Sequence, residues 1–294
     1  MSKELLDQLI AGLQAGDIVP YLGAGALADV TDSASGEAIP ADSDSLILAM
    51  NNGQPMAPRL MYEFPRAAMN MEHKRGRKFV VKFLTELYER ETWTQAALHQ
   101  WLSALNLPYV VDTNRDLQLQ KNYANREHTV IQGISRIGGT DFRFRLYHFD
   151  GEHYQEVQQE FVDVGAPILF KPLGTPMPDP SFIAADADFV DYITELMGGF
   201  AIPGFLKESR VGKQYLMLGM RFLRDTERMV MADITYAAAE PRGWALIQNP
   251  TDKEQRYCKR MNIEIVDASV ADLLKAAGQP AEGFPLPKDL AETA

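Results

Sequence analysis

The chain has one cysteine, Cys258, and a lone thiol supports neither an internal disulfide framework nor a metal site built from several thiolates. No apolar run approaches the roughly 18 residues that a membrane-spanning helix needs. The N-terminus opens with charged, helix-forming residues where a signal peptide would carry its apolar core. A reducing, cytoplasmic setting without membrane contact is the expectation. Basic charge is also scarce: Lys and Arg total 29 against 40 Asp and Glu, for a net charge of -11. Such a surface repels a phosphate backbone, so nucleic acid is not an expected partner. The basic stretch from His73 to Lys78 reads as a solvated helix face.

What is present is a soluble-protein composition, 294 residues of which 46% are hydrophobic, enough for a sizeable core. Leu5, Leu6, Leu9, Ile10 and Leu13 recur at helical spacing, and Gly16 stops the helix. The short apolar run Ile18–Leu22 then breaks at Gly23-Ala24-Gly25, which reads as a strand and a tight loop. From Thr31 to Asn52 the chain is rich in Ser, Asp, Ala and Gly and reads as a long loop with at most one short helix. Two helical patterns cover Lys74 to Leu105. Further strands are expected at Tyr109–Val111, Pro167–Phe170, Tyr215–Leu218, Trp244–Ile247 and Ile263–Val266, with helices between them. Alternation in the segment 141–164 predicts a hairpin turned at Asp150-Gly151.

Strands separated by helices predict an α/β fold, a doubly wound, mostly parallel Rossmann-like sheet with an antiparallel hairpin insertion. Residues 1–278 are expected to form one nucleotide-binding domain, and 279–294 a poorly ordered tail or a surface strap. Gly23-Ala24-Gly25 with Ala28 satisfies the loose pattern G-x-G-x-x-A, where absent side chains let backbone N–H groups approach a pyrophosphate. A plain glycine turn satisfies it equally. Placement is what raises the motif, because Asn114, Gly174 and Gly219 follow other strands, and open parallel sheets bind ligands outside their carboxyl ends. A dehydrogenase needs an acidic residue after a second strand about 20 residues on. Asp42 and Asp44 have that spacing but no apolar strand before them.

Gly23-Ala24-Gly25, Ala38-Ile39-Pro40, the run with His99 and Leu102, and Val111-Asp112-Thr113-Asn114-Arg115-Asp116 together resemble the bacterial SIR2-like relatives of sirtuins. Lys171-Pro172-Leu173-Gly174-Thr175 is similar to that family's Lys-x-His-Gly-Ser run, and Leu218-Gly219-Met220-Arg221 to its Leu-Gly-Tyr-Ser segment. The resemblance implies NAD or ADP-ribose as ligand and no metal. It puts Gly23, Ala24, Gly25 and Pro40 in the binding loops, Asn114 and Asp116 at the nicotinamide ribose and carboxamide as the catalytic candidates, Gly219 and Arg221 at the phosphates or adenine ribose, and Asn249 and Asp267 near the adenosine half.

The departures carry equal weight. Leu173 stands at the family's catalytic histidine position and can neither accept a proton nor hold a hydroxyl. Arg221 stands where serine is usual, and can pair with a phosphate or fill the pocket itself. The four-cysteine zinc ribbon of deacetylating sirtuins is missing, which disfavours peptide deacylation. His99 reads as a structural histidine, whereas His128, His148 and His153 reach the crevice only if the hairpin folds over it. Three functions stay open: a catalytically weak or silent nucleotide sensor or scaffold, an NAD glycohydrolase, and a protein-interaction module with a relic site. A homo-oligomer or a further protein partner is also left open.

Overall fold

The computed structural model describes residues 2–284. The strands are β1 (Ile18–Leu22), β2 (Tyr109–Asp112), β3 (His128–Gly133), β4 (Phe144–Phe149), β5 (Tyr154–Val157), β6 (Ile168–Lys171), β7 (Gly174–Thr175), β8 (Ser181–Phe182), β9 (Gln214–Leu218), β10 (Gly243–Leu246) and β11 (Ile263–Val266). Nine of them form one sheet in the order β11-β10-β9-β1-β2-β6-β3-β4-β5, and β7 pairs with β8 separately. From β11 across to β3 every pairing is parallel, while β4 and β5 add an antiparallel hairpin at one edge. This is a Rossmann-like α/β sheet, and all its parallel strands end at the same edge.

The central strands are buried on both faces, as a parallel sheet covered by helices requires. Val19 and Tyr21 pack into the core on one face, Ile18 and Leu22 into the core on the other. Pro20 sits in the middle of β1. Its missing N–H cannot join a ladder, and the register with β2 begins only at Tyr21, whereas β9 pairs along the whole strand.

Between β1 and β2 lies a helical insertion with its own apolar cluster, built from Leu46, Phe64, Val80, Leu84 and Trp93 among others. The polar stretch after Thr31, expected as a long loop with at most one short helix, contributes the helix Ser43–Met50, capped by Asp42, whose carboxylate accepts from the Ser45 amide at 3.0 Å. Helices Phe64–Arg75 and Arg77–Tyr88 follow, broken at Gly76. His73, Lys74, Arg75 and Lys78 are exposed there, as expected, but Arg77 turns inward to Asp188.

The hairpin forms at β4 and β5. β3 was not anticipated: His128–Gly133 is buried at every residue, yet its His, Thr and Gln break up the apolar signal of an internal strand. In the C-terminal segment, Ala281 and Phe284 pack against the core, so the described part of the tail is a strap; the expectation for 285–294 lies outside the described residues. Among the described residues, no helix is long and apolar enough to cross a membrane.

Candidate functional site

β1 ends in Gly23-Ala24-Gly25, which leads into a single 3-10 turn, Ala24–Leu27. Gly23 donates its amide to the Leu218 carbonyl at 2.9 Å, and Gly25 donates to the Gly219 carbonyl at 3.0 Å. These two N–H groups, expected to face a pyrophosphate, are therefore already engaged by the end of β9. Glycine is demanded here by the approach of two backbones. A Cβ on Gly25 would lie 2.8 Å from Gly219 Cα, and a Cβ on Gly219, at φ +71°, would lie 2.3 Å from the Ala26 nitrogen. Ala24, between the two glycines, lines the cleft beyond.

That cleft lies between the strand ends and the helical insertion, an opening of about 640 Å³ counted with the space it shares with solvent. Its floor comes from the ends of β1, β2 and β9, where the connections leaving β1 and β9 run to opposite sides of the sheet. Asp42, Leu46, Glu63 and Phe64 of the insertion form one wall, and Arg224, Thr226 and Glu227 form another. Leu173 lines the cleft, and no histidine does. His128 and His148 pair within β3 and β4 at the opposite edge of the sheet, where His128 Nε2 meets the Tyr154 hydroxyl at 2.8 Å. The hairpin thus carries neither of them over the crevice.

Asn114 is buried and reaches the cleft. Its side-chain amide donates to the Gly23 carbonyl at 2.9 Å and to Asp112 Oδ1 at 3.0 Å, fastening the end of β2 to the glycine loop. Both amide donors are spent, so what Asn114 offers a ligand is its carbonyl oxygen. Asp116 is buried and does not line the cleft; one oxygen accepts from the Gln118 amide at 2.6 Å and the other has no hydrogen-bond partner.

Beneath Asn114 lies a cluster of ionisable groups. Lys171, fully buried at the end of β6, places its ammonium 2.7 Å from Asp112 and 3.8 Å from Asp116. His99 Nε2 lies 3.7 Å from Asp112, and neither ring nitrogen makes a hydrogen bond. The expected structural role for His99 holds in its burial but not in its hydrogen bonding. Burial alone would raise the Asp112 carboxyl, but the Lys171 ammonium and His99 outweigh it and hold that group well below the usual carboxylate range. His99, Asp112 and Asp116 offer ligand atoms within 4.8 Å of one another. The Lys171 ammonium already supplies the cation that two buried carboxylates require.

The remaining expected residues divide. The Pro40 carbonyl accepts from the Tyr88 hydroxyl at 2.8 Å, beside the cleft wall. Arg221 turns away from the cleft into a two-pronged pair with the buried Glu254, at 2.8 and 3.0 Å. Asn249 and Asp267 are exposed after β10 and β11 and do not line the cleft. Two acidic cleft residues, Glu63 and Glu227, were not among the expected site residues. Desolvation at the cleft wall and then the neighbouring Glu63 push the Glu227 carboxyl up to about 7, although the residue keeps an exposed face. In the sequence Glu227 is an ordinary acidic residue in the first turn of a helix.

A family model described as a SIR2-like domain matches residues 108–266, more than half of the chain. The chain belongs to this SIR2-like family. The SIR2-like match begins just before β2 and ends with β11, so it holds Asn114, Asp116, Leu173, Gly219 and Glu227, while the glycine loop and the helical insertion precede it. A search of curated proteins returned no match. A SIR2-like domain is associated with NAD-related function in general.

Proposed function

We propose that this protein binds NAD or ADP-ribose and acts as a nucleotide sensor or scaffold with weak or silent catalysis. The observation that carries this reading is the cleft at the carboxyl ends of β1, β2 and β9, lined by Asn114 and Leu173 and by no histidine; by the family resemblance Leu173 takes the place of an acid–base histidine. The proposed domain is residues 1–278, working in the bacterial cytoplasm, with a second copy or another protein receiving the signal.

An NAD glycohydrolase is the second reading, and Glu227 favours it. A carboxyl that titrates near 7 inside the cleft can take or give a proton at neutral pH. The relic-site reading loses one of its expected signs, because Arg221 pairs with Glu254 and does not line the cleft; its other sign, no thermal shift with ligand, is read by the test below.

The test is to titrate purified protein with NAD and with ADP-ribose, reading thermal unfolding and free nicotinamide in the same samples. A ligand that binds only the native state stabilises it in proportion to the logarithm of its concentration. Stabilisation without nicotinamide release is expected, and Ala24→Phe, which fills the cleft, should remove it. Absence of any stabilisation by either nucleotide would overturn the proposal.

A further inference from the structure

Arg115 is a buried cation that lacks a buried counter-charge. It is 7% exposed, lies at the cleft and follows Asn114 in the chain. Its Nε and Nη2 both donate to one acceptor, the Ile183 carbonyl, at 3.0 and 2.6 Å. Its Cζ stands 5.5 Å from the centre of the Phe64 ring. Among the described residues no carboxylate lies within ion-pair distance of it, and Nη1 makes no hydrogen bond. Asp188 and Glu227 act on it only from farther away. Asp188 is occupied elsewhere, by Arg77 and by Arg136 at 2.7 Å.

A carbonyl dipole and an aromatic face soften the burial of a guanidinium, but neither cancels a full charge. The other arginine from the strand ends, Arg221, has its own carboxylate in Glu254. Of the two cleft arginines without an ion pair, Arg224 is only half-buried and stands over the Tyr62 ring, whereas Arg115 is the buried one, presenting its charge to the cleft with a planar fork suited to carboxylate or phosphate oxygens. The placement is also built. The Ile183 amide donates to the Leu173 carbonyl at 3.0 Å while the Ile183 carbonyl holds the guanidinium, so one residue positions both Arg115 and the leucine that faces the cleft.

We infer that Arg115 is an anion receptor, and that the ligand of this cleft carries an oxyanion, a carboxylate or a phosphate, on the group that reaches it. This deepens the nucleotide reading and rests on it for the rest of the ligand. With Glu63 on the insertion wall and Glu227 on the facing one, the cleft is bipolar. The oxyanion end sits at Arg115, and hydroxyl or amine donors of the ligand face the two glutamates.

The experiment compares three dinucleotide-type probes by calorimetry: NAD, the analogue whose pyridine carboxamide is replaced by carboxylate (nicotinic acid adenine dinucleotide), and ADP-ribose. Nicotinate, nicotinamide and inorganic phosphate are tested alone by thermal shift. Because Arg115 also holds Ile183, Arg115→Met is paired with Arg115→Lys, which keeps the charge but loses the fork, and folding is checked by circular dichroism.

Binding of the carboxylate analogue at least tenfold tighter than NAD, with the preference lost in Arg115→Met and reduced in Arg115→Lys, is the expected result for a carboxylate. Stabilisation of the wild type by phosphate but not nicotinate, weakened in the same variants, assigns the oxyanion as phosphate. If Arg115→Met does not fold, wild-type selectivity and Arg115→Lys still decide. Equal binding of NAD and its carboxylate analogue, with no effect of nicotinate or phosphate, overturns the inference while leaving the nucleotide reading intact. If no dinucleotide binds but an anion does so through Arg115, the nucleotide reading fails and the receptor stands; if nothing binds, both fail.

Discussion

Gly25 and Gly219 meet backbone to backbone at the rim of the cleft, the amide of the first donating to the carbonyl of the second at 3.0 Å. A side chain on either would separate the ends of β1 and β9. Gly219→Ala, at φ +71° and 2.3 Å from the Ala26 nitrogen, is expected to cost roughly 1–3 kcal/mol. Gly25→Val should destabilise as well, through its clash with Gly219. Urea unfolding of both variants measures this. A Gly219→Ala protein as stable as wild type would show that the two loops separate freely.

Lys171 stands between two buried carboxylates, so Lys171→Met leaves them without a cation and should cost about 3–5 kcal/mol at neutral pH. The pH dependence supplies a second readout. In the wild type the Asp112 carboxyl is lowered by its partners, so its contribution is present above the unfolded pKa of about 3.9 and is lost only as pH falls below it. Without Lys171 the sign reverses: burial raises the carboxyl, and stability falls as pH rises. The variant should therefore unfold at lower urea concentration at pH 8 than at pH 5, and a flat profile would contradict the assignment.

Glu227 is raised from 4.5 to about 7, so the folded protein holds this proton more tightly than the unfolded chain. The resulting stabilisation is complete below about 4.5 and is lost as pH rises toward 7. Glu63, Arg224, Arg228 and Arg115 are the charged groups acting around it. ADP-ribose affinity should decline severalfold between pH 6 and pH 8, as a phosphate-bearing ligand meets a newly ionised wall. Glu227→Gln should flatten that decline. If the variant keeps the wild-type profile, the titrating group lies elsewhere.

Leu173 sets the expectation for turnover. Acid–base assistance contributes roughly 10²–10⁴-fold, so wild-type release of nicotinamide from NAD should be very slow or undetectable. Leu173→His should raise it if the cleft accepts the ring. Brisk wild-type turnover, on the order of several per second, that disappears in Glu227→Gln would move the assignment to a glycohydrolase with a glutamate as its proton carrier.

The sheet was legible because most of its buried strands are continuous apolar runs closed by Gly or polar residues, as at Ile18–Leu22 and Tyr215–Leu218. β3 escaped because three polar side chains hide a strand whose burial comes from tertiary packing. Asn114 and Ala24 could be placed at the cleft from their positions after strands. Lys171 and Asp112 left a readable trace, two opposite charges each ending an apolar strand, though their pairing depends on β2 and β6 being neighbours. Glu63 and Glu227 left none, because their meeting depends on how the insertion lies over the sheet edge. Arg221 and Arg115 show the limit of motif reasoning: either could have faced the ligand, and only Glu254, a residue remote in sequence, decides which one is neutralised.

β1 is the first strand of the chain, yet it pairs along its whole length with β9, Ile18 lying opposite Gln214. Contacts so distant in sequence carry a high loop-closure cost and slow folding. During synthesis the glycine loop must therefore wait, with one side of β1 unpaired, until most of the chain has emerged. A chain truncated before β9 should expose that strand edge and aggregate, and the cleft is accordingly among the last features of the molecule to be assembled.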